Sequence, residues 1–304
     1  MSKAMKKRGY KEFLYILPFI VLVAIFAYYP LYGWIYSFFD YQPPLPFSWD
    51  TFVGLKWFNM LFQNKSYMNQ TLEVLRNTFA ISGIALFFTW LPMIFAVFLN
   101  EIRIKPLKKF IQTATTIPNF ISWILVYSVA FLLLSNNGMV NSVLQDIGLI
   151  SRPIDFLKDN SHMWIKMWLW LTWKNLGWAA IMYVAAITGI DEGMYEAARI
   201  DGATRWKCIW HITLPSLLPT FFVLILLNIS NMLNNGMEQY YVFQNAWNRE
   251  YIQVLDLYVY NLSTSKPPVY SISTAISMLK SIVSLVMLFA ANTFSKIVRR
   301  ESII

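Results

Sequence analysis

Charge is scarce in this sequence. Asp, Glu, Lys and Arg make up 13% of its 304 residues, where a soluble domain carries about 25%. Cysteine is nearly absent: Cys208 stands alone, which excludes a disulfide framework and a metal site built on thiolates. His162 and His211 fall in segments expected on opposite sides of a membrane, so they cannot share a metal, and none is expected. No Gly is followed by Lys, so there is no G-x-x-x-x-G-K-[ST] loop to cradle a nucleotide phosphate. No cofactor is therefore expected in this chain, and any ATP chemistry, with its Mg, must sit on another subunit. Carboxylates are missing from the long apolar runs, which Glu12 and Asp191 only flank. A proton- or sodium-coupled carrier or a channel would want acids there, and a membrane-embedded enzyme would want paired acids or a His cluster. A nucleic-acid partner would need a basic folded face, and none is visible.

What the sequence has is apolar length. Hydrophobic residues are 57% of the chain, gathered in six blocks at about 13–37, 78–100, 110–134, 163–188, 212–234 and 270–294. A helix needs about 20 apolar residues to cross the ~30 Å of hydrocarbon. The expectation is an all-α, polytopic membrane protein of six transmembrane helices forming one domain over 1–304. The alternating pattern of a membrane barrel is absent. Lys3, Lys6, Lys7, Arg8 and Lys11, then Arg103, Lys105, Lys108 and Lys109, Arg199, Arg205 and Lys207, and Lys296, Arg299 and Arg300 fall on one side. The other side holds the smaller set Lys56, Lys65, Arg76, Arg152, Lys158, Arg249 and Lys266. The first side is cytoplasmic by the positive-inside rule, with both termini there. The net charge of +9 is thus mostly topology. The first block is too long for a signal-peptide core and is expected to be a retained span.

The loop at 189–211 lies between two apolar blocks on the cytoplasmic side. Asp191 is suited to cap a helix, with Glu192 and Glu196 in or near its first turns. Met194, Ala197 and Ala198 give a small apolar face. Asp201-Gly202 breaks the helix. A short basic piece with Arg205, Trp206 and Lys207 follows, and Leu214-Pro215 and Pro219 set the start of the next span. Such a loop can be a plain interfacial connector. Yet Glu196-Ala197-Ala198, Gly202, Ile212 and Leu214-Pro215 resemble the EAA motif (E-A-A-x3-G-x9-I-x-L-P) of ABC importer permeases. The resemblance implies a type I ABC importer fold and a coupling helix that docks in a cleft of a cytoplasmic ATPase. It gives Glu196 a basic partner on the ATPase, packs Ala197 and Ala198 in the cleft and turns the chain at Gly202, with Asp201, Leu214 and Pro215 in the same coupling segment. It also implies two ATPase subunits, an extracytoplasmic solute-binding protein and a second permease, with a heterodimer favoured. The location implied is the bacterial inner (cytoplasmic) membrane.

Two further strings resemble carbohydrate-importer permeases: Gly54-x2-Trp57-Phe58 followed by Asn77-Thr78, and Ile117-Pro118-Asn119-Phe120-Ile121-Ser122-Trp123. The second is most similar to a subgroup importing larger oligo- and polysaccharides. The resemblance thus implies a non-catalytic permease that passes an oligosaccharide inward by alternating access. A non-sugar solute is the alternative cargo.

Candidates for a substrate cavity come from polar and aromatic residues within the spans. The block at 163–188 holds Trp164, Trp168, Trp170, Trp173 and Trp178 with Lys166, Lys174 and Asn175. Trp164 and Trp168 suit an interfacial belt. Trp173 and Trp178 lie deeper, where a ring can stack on a sugar or simply pack in a core. A lysine inside a span costs about 2.5–3.5 kcal/mol on insertion scales unless it finds water or a partner. Lys174 and Lys280 are expected to face an aqueous cavity, where they could draw an acidic sugar. A salt bridge to a partner permease or a cap on carbonyls is the other reading. Asn228, Asn231 and Asn235 are expected to share one face of the fifth span. The loop at 238–250 resembles the outer loop that probes the binding protein's sugar site in related importers.

Overall fold

The computed structural model describes residues 3–267 and 269–299. Arg300, used above, lies outside the described residues. The elements run α1 Lys3–Val23, α2 Lys56–Gln63, α3 Lys65–Phe87, α4 Leu91–Glu101, α5 Lys105–Thr116, α6 Trp123–Leu134 and α7 Met139–Asp146. They continue through α8 Met163–Thr188, α9 Glu192–Ile200, α10 Arg205–Cys208, α11 Leu214–Ser230, α12 Glu238–Phe243, α13 Arg249–Ile252, α14 Leu255–Thr264 and α15 Tyr270–Arg299. Among the described residues the only strand-like pairing is one antiparallel bridge, Phe39 to Phe52. The fold is all-α, as expected.

Among the described residues five stretches are long and apolar enough to cross a membrane: Glu12–Phe38, Lys65–Glu101, Trp123–Asp146, Arg205–Ser230 and Tyr270–Thr293. Helix α8 has the bounds of the fourth expected block and 26 residues, but Lys166, Lys174 and Asn175 dilute its apolarity. Three blocks differ from straight spans. The second begins at Lys65 and is interrupted at Phe88–Trp90, because Pro92 in the first turn of α4 has no N–H to continue the ladder. The third breaks between α5 and α6, where Pro118 sits in a short 3-10 turn, Ile117–Phe120. The fifth stops at Ser230, where the Asn231 amide donates to the Leu227 carbonyl at 2.9 Å and terminates the helix.

The chain divides into two compact units. One comprises residues up to Met68 with Val259–Ser281. Its first apolar run changes winding twice, to a π turn at Ala24–Tyr28 and a 3-10 stretch at Tyr29–Phe38 led by Pro30. The aliphatic and aromatic side chains from Phe13 to Tyr32 are exposed, as suits a surface solvated by lipid. The segment after it folds on Phe39, which is 1% exposed and ringed by Phe47, Trp49 and Phe52. The glycine-tryptophan string is part of this knot. Gly54 takes a left-handed φ of 57°, and the Trp57 indole donates to the Phe39 carbonyl at 2.9 Å.

The other unit, Asn69–Tyr258 with the chain from Ile282, is organised on α8. Its buried residues Met163, Met167, Lys174, Gly177, Ala180, Tyr183 and Ile187 recur every three or four positions. They make one continuous face that packs on α4, α5 and α11. Met93, Ala96 and Val97 of α4 and Leu217 of α11 complete the core with Ile209. Small residues let helix backbones approach closely, which matters in lipid because association there relies on packing rather than water exclusion. Gly177 is the extreme case: a Cβ there would fall 2.3 Å from the Thr115 carbonyl oxygen. Gly177→Val is expected to cost about 1–3 kcal/mol by forcing α5 and α8 apart, read as a lower thermal midpoint of the purified protein.

Candidate functional site: a capped helix beside a concavity, and a broken helix fixed by a lysine

The segment expected to couple to an ATPase is built as a short helix with both ends closed. Asp191 accepts a hydrogen bond from the Gly193 N–H at 2.9 Å, capping the first turn. At the other end the Ala203 N–H donates to the Ala198 carbonyl at 2.8 Å and the Gly202 N–H to Arg199 at 3.1 Å. Gly202 has φ +74°. This is a Schellman closure, whose left-handed residue favours glycine.

One side of α9 holds it down. Tyr195 and Ala198 are half-buried, and the Tyr195 and Thr213 hydroxyls share a hydrogen bond of 2.9 Å. The other side is open: Glu196, Ala197 and Asp201 are exposed, and Ile200 is 87% exposed. Glu196 makes no ion pair among the described residues. Beside α9 lies a concavity of about 770 Å³ lined by Glu101, Arg103, Tyr195, Glu196, Arg199 and Arg205 among others. Arg205 and Glu101 approach to 3.9 Å across it. Leu214 packs against the core, and the exposed Pro215 occupies the first turn of α11, where its missing N–H is harmless. Tyr195 and Glu101 were not singled out from sequence; a tyrosine inside a small-residue run is the only signal for the former.

The cavity candidates do not form one set. Lys174 is 7% exposed and faces protein rather than water. Its Nζ donates to the carbonyls of Pro118 at 3.0 Å, Asn119 at 2.7 Å and Ile121 at 2.6 Å. Of the readings open for this lysine, the geometry is that of the carbonyl cap rather than of a charge facing an aqueous cavity: the ammonium gathers carbonyls at the break after Thr116. Beside it, the Asn119 amide donates to Asn175 at 2.8 Å. Trp173 and Trp178 are 46% and 51% exposed, and Trp178 meets Phe120 edge-on at 5.7 Å. Lys166, in the first turn of α8, reaches back to the Asp159 carboxylate at 2.8 Å. That ammonium, with the Ser161 hydroxyl, holds the Asp159 carboxyl well below the usual range.

The asparagine face is also corrected. Asn228 lies on α11, but Asn231 ends that helix and Asn235 is beyond it, so the helical spacing that would align them is lost. Asn228 and Asn231 are exposed, while Asn235 exchanges hydrogen bonds with Ser82 of α3. Lys280 is half-buried on α15, in the other unit, and partnered within the chain.

A clamp not foreseen from sequence ties the 248–255 loop to α3. Asn77, 1% exposed, donates to the carbonyls of Glu250 at 2.8 Å and Gln253 at 3.2 Å. It also accepts from the Trp164 indole at 3.2 Å. The Thr78 hydroxyl accepts from the Leu255 N–H at 2.9 Å. The Asn77-Thr78 pair was visible in the sequence only as part of a resemblance.

Residues 89–300 match the family model described as binding-protein-dependent transport system inner membrane component. The chain is 37% identical, over 96% of its length and 89% of the relative's, to the polygalacturonan/rhamnogalacturonan transport system permease protein YteP of Bacillus subtilis. It is 35% identical to protein LplB of the same organism, over 95% of this chain and 90% of that one. Among solved structures it is similar to a chain of a bacterial alginate ABC transporter in complex with an alginate pentasaccharide-bound periplasmic protein. The TM-score is 0.84 with 30% identity, and 98% of each chain is covered. A membrane-embedded transport subunit with the ABC importer permease fold accounts for these likenesses, and the chain belongs to the family of binding-protein-dependent transport system inner membrane components.

Proposed function

We propose that this chain is the permease subunit of an ATP-driven importer that passes an oligosaccharide, acidic in character, from an extracytoplasmic binding protein into the cytoplasm by alternating access. The observation that carries the coupling half is the closed helix α9, with Glu196 and Ala197 outward beside a charged concavity. It is the shape a cytoplasmic ATPase could grip: rigid, small-faced and joined by Tyr195 to the start of α11. Residues 189–211 form the cytoplasmic coupling loop, with both termini on that side. ATP and Mg belong to two ATPase subunits. A second, homologous permease completes the path, since one six-span subunit offers half of one. The chain sits in the bacterial inner membrane and has no nucleic-acid partner.

The cargo half is supported by the relatives, two of which are named for polygalacturonan/rhamnogalacturonan and alginate. It is also supported by the exposed Trp173, Trp178 and Phe120 beside the Asn119–Asn175 pair. Apolar rings with amides at their edge suit a sugar, which stacks by its face and hydrogen-bonds at its rim. Asn228 remains a candidate for that lining, and Lys280, in the other unit, a candidate substrate contact in its own right.

The test is uptake into proteoliposomes holding the full complex with its binding protein. Oligogalacturonides should be taken up only with ATP inside and binding protein outside. Equal uptake of a neutral maltodextrin of the same length would remove the acidic preference.

A further inference from the structure

The break between α5 and α6 has an unusual stabiliser. A helix that stops leaves carbonyls unsatisfied, and buried carbonyls of this kind find backbone, polar side chains or water. Here the carbonyls of Pro118, Asn119 and Ile121 converge on one ammonium, that of Lys174, at 2.6–3.0 Å. Lys174 stands in the middle of the buried face of α8, between Met167 and Gly177, with its Nζ also 5.5 Å from the Trp123 ring centroid. Carbonyls of an unwound helix gathered around a positive charge are the arrangement in which transporters hold a monovalent cation. In this chain a side chain supplies the cation.

The consequence reaches the surface. The carbonyls that Lys174 holds, those of Pro118, Asn119 and Ile121, lie on both sides of Phe120. Asn119 is half-buried and fixed on Asn175, and Phe120 is 73% exposed and set edge-on to Trp178. Without the charge the segment loses three of the hydrogen bonds that hold this curl. Gly177 seats α8 against Thr115 one turn further on, so the break is pinned on both sides. We propose that Lys174 is a tethered cation around which 117–122 is folded, and that it is thereby the positioning residue for Asn119 and Phe120 as contacts to the imported saccharide. The saccharide part rests on the function proposed above.

The experiment uses the full importer complex in proteoliposomes and compares wild type with Lys174→Met, each with and without Phe120→Cys. Maleimide labelling of Phe120→Cys should quicken at least about fivefold in the Lys174→Met background. The oligogalacturonide concentration for half-maximal uptake should rise about tenfold, the equivalent of one or two lost hydrogen bonds, with a smaller change in maximal rate. Unchanged labelling overturns the proposal. So does faster labelling with an unchanged half-saturating concentration, because Lys174 would then be structural only. If Lys174→Met does not assemble, Lys174→Ala is prepared in ethylammonium, which can refill the carbonyl site. Recovery of assembly with ethylammonium but not with choline supports the tethered cation, and recovery with neither overturns it. Failure of the saccharide reading is distinguishable, because it appears in the unmodified complex as absence of uptake.

Discussion

Glu196→Lys is expected to lower ATP-coupled uptake by at least about tenfold while leaving the membrane domain folded. Linked sites in proteins are commonly coupled by 1–3 kcal/mol, or 5–150-fold, and a reversed charge on a helix meant to dock should lose most of that. The local structure argues that folding will survive. Glu196 is exposed, is not the cap of α9 and has no ion pair among the described residues to break. Gly202→Val should act on the same step by another route. At φ +74° a β-branched residue is strained by roughly 1–2 kcal/mol or more, although a Cβ there meets nothing within 4 Å. The strain should loosen the two closing hydrogen bonds to Ala198 and Arg199 and fray the end of α9. Both variants should retain the thermal midpoint of wild type to within a few degrees, with uptake as the discriminating readout.

Asn77→Leu is expected to have the largest effect on stability. The substitution keeps the branched outline, adds volume at a fully buried position, and strands the buried Gln253 carbonyl while freeing the part-buried Glu250 carbonyl. A buried polar group left without its partner costs about 1–3 kcal/mol, and overpacking costs about as much again, so a loss of about 2–4 kcal/mol is expected. The Trp164 indole still has the Tyr251 carbonyl at 3.0 Å, which limits the damage on that side. The variant should show a lower thermal midpoint and faster proteolysis within 248–255, the loop that Asn77 holds. If this loop meets the binding protein, stimulation of ATPase activity by that protein should fall as well. Asn77→Asp is a useful companion, since it keeps the acceptor for Trp164 and loses the donor to both carbonyls.

Helix α9 was legible in the sequence because each of its parts is a local signal. Asp191 as cap, Gly202 as left-handed closure and Pro215 in the first turn of α11 depend on neighbours within four residues, and all three occupy those places. The all-α class was legible for the same reason, through unbroken apolar length. Residues whose roles depend on distant partners were not. Lys174 looked like a charge in need of water because the carbonyls it caps lie 53–56 positions away in the chain. Its spacing from Met167 and Gly177 nevertheless marks it as part of the packed face, a clue that separates a capping lysine from a cavity lysine. The asparagine face at 228, 231 and 235 assumed a helix through residue 234. Asn231, by bonding back to Leu227, ends that helix, so the residue that suggested the face also removed it. The straight spans drawn through 78–100 and 110–134 ignored Pro92 and Pro118, whose missing N–H groups sit at the breaks.

The central claim is that an external ATPase drives this membrane domain through the segment at 191–203. The direct test is solute uptake by proteoliposomes containing the complete importer, measured with wild type, with Glu196→Lys and with the ATPase subunits omitted. The account predicts ATP-dependent uptake for wild type, a fall of at least about tenfold for Glu196→Lys at comparable assembly, and none without the ATPase. Undiminished uptake by Glu196→Lys, or solute moved in the absence of the ATPase, would contradict it.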